Sequence, residues 1–153
     1  MASFVNAADA LAAAVEIERR GQAFYLELKD RASSSQDREF FSFMAKEELR
    51  HEGVFTAMLE RSGGLPLPAG STDEEYQQYV RGLLDSHTLF MQGAHERALK
   101  TPVHEAVQLE KDTLLFFMEL ERMVPKAEAA AVRGCADEER KHIRMLLGSR
   151  KPG

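Results

Sequence analysis

Apolar residues along the chain recur at steps of three, four and seven, the period of helices with one buried side, and the strict alternation of a strand is scarce. Leu11, Val15, Tyr25 and Leu28 share one stripe with Glu18. They predict a first helix from about Asn6, an N-cap residue type, to about Arg31. The serines of residues 33–37 form a loop. A second helix is predicted from about Gln36 to Ser62, with Gly63-Gly64 as its stop signal. LPLPAG, residues 65–70, is the clearest break. Thr72 stands three residues before Glu75 in the form of a capping box. It is expected to open one connecting helix to about Lys100, with Tyr76, Val80, Leu83, His87, Phe90 and Met91 on one face. Thr101-Pro102 then starts a third main helix, with Thr as N-cap and Pro in the first turn, ending near Met123. Val124-Pro125 breaks it, and a fourth main helix runs from about Lys126 to Leu147, followed by the polar tail SRKPG.

The expected architecture is all-α: one domain over residues 1–153, with four main helices of about 22–27 residues, each about 33–40 Å long. The segment 64–100 is too long for a bundle turn, so the second and third main helices need not be antiparallel neighbours, and a crossover is implied.

The stripes are interrupted by residues that a core does not call for. Phe41, Glu48 and Phe55 step by seven, and Met44, His51 and Met58 step beside them. In the last helix Val132, Cys135, Glu139, His142 and Leu146 do the same. Glu18 lies between Leu11 and Tyr25, and Glu110 between Val103 and Phe117. The interruptions also repeat. VEIERRGQAFYLEL from Val15 resembles VQLEKDTLLFFMEL from Val107, which matches Glu18 to Glu110 and Tyr25 to Phe117. KEELRHEGVFTAML from Lys46 resembles DEERKHIRMLL from Asp137, which matches Glu48 to Glu139 and His51 to His142. The pseudo-repeats span about 7–63 and 101–148, joined by the connecting segment 64–100.

Four inward carboxylates at one level cannot all stay ionised and unpaired, because each buried charge costs several kcal/mol in lost hydration. Protonation is one escape. Two divalent cations are the better one, since four carboxylates balance two such ions when the histidines are neutral. Oxygen-rich ligation with one imidazole per ion suits iron or manganese. A Glu from each of two helices, with Glu-x-x-His from each of the other two, is the known donor set of di-iron bundles. Glu18, Glu48, His51, Glu110, Glu139 and His142 are therefore the candidate metal ligands.

These features resemble the ferritin-like superfamily, and within it the rubrerythrin-like branch. The resemblance rests on E18-x-x-G-x-x-F-Y25, E48-x-x-H51, E110-x-x-x-x-x-F-F117 and E139-x-x-H142, and spans about residues 7–148. It implies a four-helix bundle with a long crossover and a carboxylate-bridged di-iron centre. In such a centre Glu18 and Glu110 act as single carboxylate ligands, Glu48 and Glu139 bridge, and His51 and His142 bind one metal each. The implied function is that of an oxidoreductase of the ferroxidase or peroxidase type, reacting with O2 or H2O2 in oxidative-stress defence or iron homeostasis. Its cofactor would be two iron ions, with manganese or zinc as possible substitutes, and its electron donor is unspecified. The competing reading is iron storage, delivery or sensing without turnover. A homodimer, with or without a helix swap, is the assembly expected for this branch. Two positions depart from its pattern. One cysteine is too few for a rubredoxin-type module, and Thr113 stands where an additional carboxylate is usual, with Gly21 as its repeat mate.

Composition narrows the alternatives. The net charge of -5 and the absence of a basic cluster argue against nucleic-acid binding. A single Cys fits a reducing cytoplasm, and no apolar run suits a membrane span. The opening residues carry no basic stretch and are not read as a signal peptide. Tyr25 is read as a core residue, with a hydrogen bond or electron transfer to the centre as the alternative. Cys135 is read as a small buried core residue. Glu47, Glu52 and Glu138 are read as solvated, and His87, His95 and His104 as non-ligands.

Overall fold

The computed structural model describes Phe4 and residues 6–148, so the SRKPG tail lies outside the described residues. Helices α1 (Ala7–Arg31) and α2 (Ser35–Ser62) form one hairpin, and α5 (Pro102–Met123) and α6 (Lys126–Gly148) form the other. Between them lie α3 (Glu74–Asp85), a 3-10 turn (Thr88–Phe90) and α4 (Ala94–Lys100). Short loops make each hairpin antiparallel. Across the bundle Tyr25 of α1 reaches Glu110 of α5, while Arg50 and Arg61 of α2 reach Glu138 and Glu128 of α6. These registers run α1 against α5 and α2 against α6, which leaves α2 and α5 parallel on the diagonal. The chain must therefore return along the bundle after α2, which is the work of segment 63–101.

The caps explain the boundaries. Asn6 accepts from the N–H of Asp9 while Asp9 accepts from that of Asn6, a reciprocal capping box. Ser34 caps α2 through the Asp37 N–H. Gly63 is right-handed helical, with φ -60, and so does not close α2 by the left-handed route its position suggested. Its value is space. A Cβ there would lie 2.6 Å from the Leu59 carbonyl and 3.3 Å from Ala8. Its bareness lets α1 begin against the end of α2, where Ala8 N–H donates to Gly63 O and Ala7 N–H to Leu65 O.

The connecting segment corrects two expectations. The N-cap is Asp73, whose carboxylate accepts from the Tyr76 N–H, rather than Thr72. The single connecting helix is in fact three pieces. Ser86 bonds back to the carbonyls of Gly82 and Leu83 and ends α3, His87 is extended, and Gly93 takes φ +79, which only glycine adopts readily. The shared face drawn through Leu83 and Met91 therefore breaks. Leu84 is buried instead, and Met91 is half exposed. Thr101 precedes α5, but its hydroxyl bonds back to Arg97 O and makes no cap bond to α5.

Two apolar cores result. One gathers Leu11, Val15, Phe55, Met58, Val80, Phe117, Leu120 and Val132, and the other Tyr25, Leu28, Phe41, Met44, Val107 and Leu146. A fully buried side chain of this size contributes about 1.5–3 kcal/mol. The polar layer lies between the two cores. No helix among the described residues is long and apolar enough to cross a membrane.

Candidate metal centre

One chain brings all six predicted residues together. Glu18, His51, Glu110 and Glu139 are fully buried, and Glu48 and His142 are 1% and 2% exposed. They fall into two groups of potential ligand atoms, within 4.8 Å of one another in each: Glu48, Glu110, Glu139 and His142, and Glu18, His51 and Glu139. Glu139 belongs to both, and Glu48 is placed in one.

The imidazoles are arranged in parallel. His51 Nδ1 lies 2.9 Å from Glu139 Oε1 and 3.6 Å from Glu18 Oε1. His142 Nδ1 lies 3.6 Å from both Glu110 Oε2 and Glu139 Oε2. The rings stack with centroids 5.9 Å apart. Each turns Nδ1 to the interior and Nε2 outward. His51 Nε2 is 3.7 Å from Glu138, and His142 Nε2 is 3.6 Å from Glu47. Arg50 donates to both outer carboxylates. Such carboxylates fix the orientation of a ligating imidazole and raise its basicity.

Burial dominates the electrostatics. It holds the carboxyls of Glu18, Glu48 and Glu110 well above the usual range, with repulsion from neighbouring carboxylates adding to the effect. At Glu139 burial acts in the same direction, but Glu110, His142 and His51 together outweigh it and lower the pKa. Burial also opposes the charge on His142, yet Glu110 and Glu139 push it up to about 11. Without metal, burial and mutual repulsion favour the protonated forms of Glu18, Glu48 and Glu110.

Hydrogen bonding tests whether a metal pair fits. Nine buried side-chain oxygen and nitrogen atoms lack a hydrogen-bond partner among the described residues, and all nine belong to these six residues. Native structures leave few such atoms. The other buried glutamates behave differently: Glu128 is paired with Arg61 and Glu105 with Arg97. Orphaned donors of the oxygen-rich, two-imidazole type, sharing one carboxylate, fit two hard or borderline divalent ions.

The remaining candidates divide. Tyr25 is fully buried in the core and also donates to Glu110 Oε1 at 2.6 Å. Burial raises its pKa well above 10, so it remains a phenol. Cys135 is buried, with burial pushing the thiol up to about 12. It is therefore a core thiol rather than a thiolate. His104 is exposed, and His95 is an exposed partner of Glu27. Glu52 pairs with Arg19. Glu47 and Glu138 are not simply solvated, because they back the two imidazoles. The signal that could have found them is Glu-Glu-x-x-His, present in both halves as Glu47-Glu48…His51 and Glu138-Glu139…His142.

Comparison with known proteins agrees with this geometry. The family model described as Rubrerythrin matches residues 9–148. A search of curated proteins finds no match. Among solved structures, the chain resembles a Thermotoga maritima protein provisionally assigned as a ferritin-like diiron-carboxylate protein. The TM-score is 0.68 at 22% identity, with 97% of this chain and 96% of that one covered. At that identity the likeness establishes the fold.

Proposed function

Because the chain belongs to the Rubrerythrin family, we propose that it is a non-haem di-iron redox protein, which holds two iron ions in the central layer and reacts with O2 or H2O2. The observation that carries this reading is that all nine orphaned buried atoms belong to these six residues, whose potential ligand atoms form two groups that share Glu139. Glu18 and His51 would hold one ion and Glu48, Glu110 and His142 the other, with Glu139 serving both. When bound, the iron pair supplies reversible one-electron chemistry at each ion and an open position for a small oxidant.

The protein's own contribution is positional. Glu47 and Glu138 stand on the outer side, 3.6 Å from His142 Nε2 and 3.7 Å from His51 Nε2, while each Nδ1 faces inward. Tyr25 fixes one oxygen of Glu110 and leaves the other, Oε2, facing His142. Gly21 keeps the flank of Glu48 clear, since a Cβ there would sit 2.9 Å from Glu48 Oε2. A side chain at that position would displace the Glu48 carboxylate from its place among the candidate ligands. The cores above and below exclude bulk water from the layer.

The test is anaerobic Fe(II) titration followed by exposure to O2 or H2O2, with oxidised di-iron absorption as the readout. Two irons per chain and an oxidant-dependent absorption rise are expected. Uptake well below two, or identical behaviour in Glu48→Ala/His51→Ala, would refute the proposal.

A further inference from the structure

The metal layer does not account for His87. This histidine comes from the connecting segment, outside both hairpins, yet it is fully buried. Its place is fixed from two sides. The adjacent Thr88 donates both its N–H and its hydroxyl to Asp112 of α5, at 2.9 and 2.6 Å. From α1, Arg20 donates to Leu89 O at 3.2 Å, and its guanidinium lies over the Phe90 ring, 4.5 Å from the centroid.

Hydrogen bonding determines the tautomer. The Leu89 N–H can only donate, and it donates to His87 Nδ1 at 3.1 Å. Nδ1 is therefore an acceptor, and the one hydrogen of the neutral ring is on Nε2. Nε2 lies 2.9 Å from Thr113 Oγ1, so the imidazole donates and the threonine oxygen accepts. Burial brings the histidine down to about 4, against the opposing pull of Asp112 and Glu139, which keeps the ring neutral near pH 7.

Thr113 is 2% exposed, one turn after Glu110 and on the same helical face. Its repeat mate is Gly21, whose missing Cβ would touch Glu48. By the repeat, Thr113 holds on α5 the position that Gly21 holds on α1, and Glu139 is the repeat mate of Glu48. With Oγ1 receiving the His87 N–H, the threonine still has its own hydroxyl hydrogen to donate. No hydrogen bond donated by that hydroxyl is seen among the described residues.

We infer that the Thr113 hydroxyl is a hydrogen-bond donor to a small anionic or oxygen ligand bound at the metal layer, and that His87 is the positioning residue that aims it. This rests on the metal-centre reading and adds the element that selects the ligand. The connecting segment thereby becomes part of the site, and the donor lies on the α5 side alone.

Azide serves as the probe. Protein loaded with iron and oxidised is titrated with azide, following the ligand-to-metal absorption. Thr113→Val is expected to weaken azide binding about tenfold, the scale of one hydrogen bond to an anion. Thr113→Ser should stay within about twofold of the parent. His87→Leu should weaken binding about threefold, and His87→Gln, which keeps an N–H donor, should recover most of that loss. Iron content is measured for each variant. In the metal-free protein, 15N shifts of His87 should show the neutral ring with hydrogen on Nε2. Two irons per chain with unchanged azide affinity in Thr113→Val overturns the inference and leaves the metal centre standing. The Nδ1–H tautomer in the metal-free protein overturns the positioning role of His87. Failure of the parent to take up iron removes the metal reading, and this inference with it.

Discussion

The two hairpins carry the same ligand types at equivalent positions but differ in what surrounds them. In the first, Gly21 lets the Glu48 carboxylate pack against the α1 backbone, and Tyr25 reaches across to hold Glu110. In the second, Thr113 and Phe117 occupy the corresponding positions, and His87 is laid against Thr113 from the connecting segment. The common residues answer the demand of charge balance, which is symmetric for two equal ions. The differing residues give the layer a bare glycine against Glu48 on one flank and a hydroxyl bonded to His87 on the other. A symmetric set of candidate metal ligands thus sits in asymmetric surroundings.

The largest expected effect comes from removing what the two ligand groups share. Glu139→Ala should abolish stoichiometric binding of both metals, whereas Glu18→Ala should spare the group of Glu48, Glu110 and His142. Metal analysis of the purified variants reports the difference. Equal losses in the two would deny Glu139 its joint role.

The layer as a whole predicts a pH dependence. Glu18, Glu48 and Glu110 are raised in the folded state, so their contribution is fully favourable below about pH 4.5 and fades as pH rises. His142, raised to about 11, contributes stability that is complete below about 6.5 and lost between there and 11. The lowered carboxyl of Glu139 acts oppositely, but only below about 4.5. The metal-free protein should therefore melt lower at pH 9 than at pH 6.5, by on the order of 5 °C. Bound metal should flatten that slope, because it replaces the protons. Thermal melts with and without metal measure both.

Smaller changes act on one flank. Gly21→Ala forces the Glu48 carboxylate aside and should cost about 1–3 kcal/mol in denaturant unfolding, with slower oxidation of the iron-loaded form. Tyr25→Phe makes the two hairpins alike at this position and removes one buried hydrogen bond. A loss of about 1 kcal/mol is expected, seen as a lower denaturant midpoint at unchanged slope. Smallest of all is Arg50→Ala. Arg50 is half exposed, and its pairs should contribute less than about 1 kcal/mol to folding. Any effect should appear instead as weaker metal binding, because Glu47 and Glu138 lose their common partner.

The helical stripes and the repeat made the bundle and its inward polar set legible in the sequence, since burial writes a period that point changes do not erase. What stayed hidden was tertiary. Glu47 and Glu138 sit one position before ligands, about 100° around each helix. A face assignment places them outside, and only the packing of α2 against α6 turns them toward the opposite imidazoles. The breaks in the connecting segment depend on Ser86 bonding backward and on the left-handed Gly93, neither of which disturbs an amphipathic pattern strongly. His87 had no partner at ligand spacing because its partner, Thr113, lies on another helix.

The crossing of the outer carboxylates has a consequence for how such a chain can arise. Glu138 of the second hairpin backs His51 of the first, and Glu47 of the first backs His142 of the second. A lone hairpin holds an imidazole without its support and a support without its imidazole. Two copies of one hairpin, facing each other across a two-fold axis, would complete each other at every one of these positions. The chain is in this sense a dimer tied into a single molecule. The tie does more than join its halves, since it delivers one histidine to one side and so ends their equivalence.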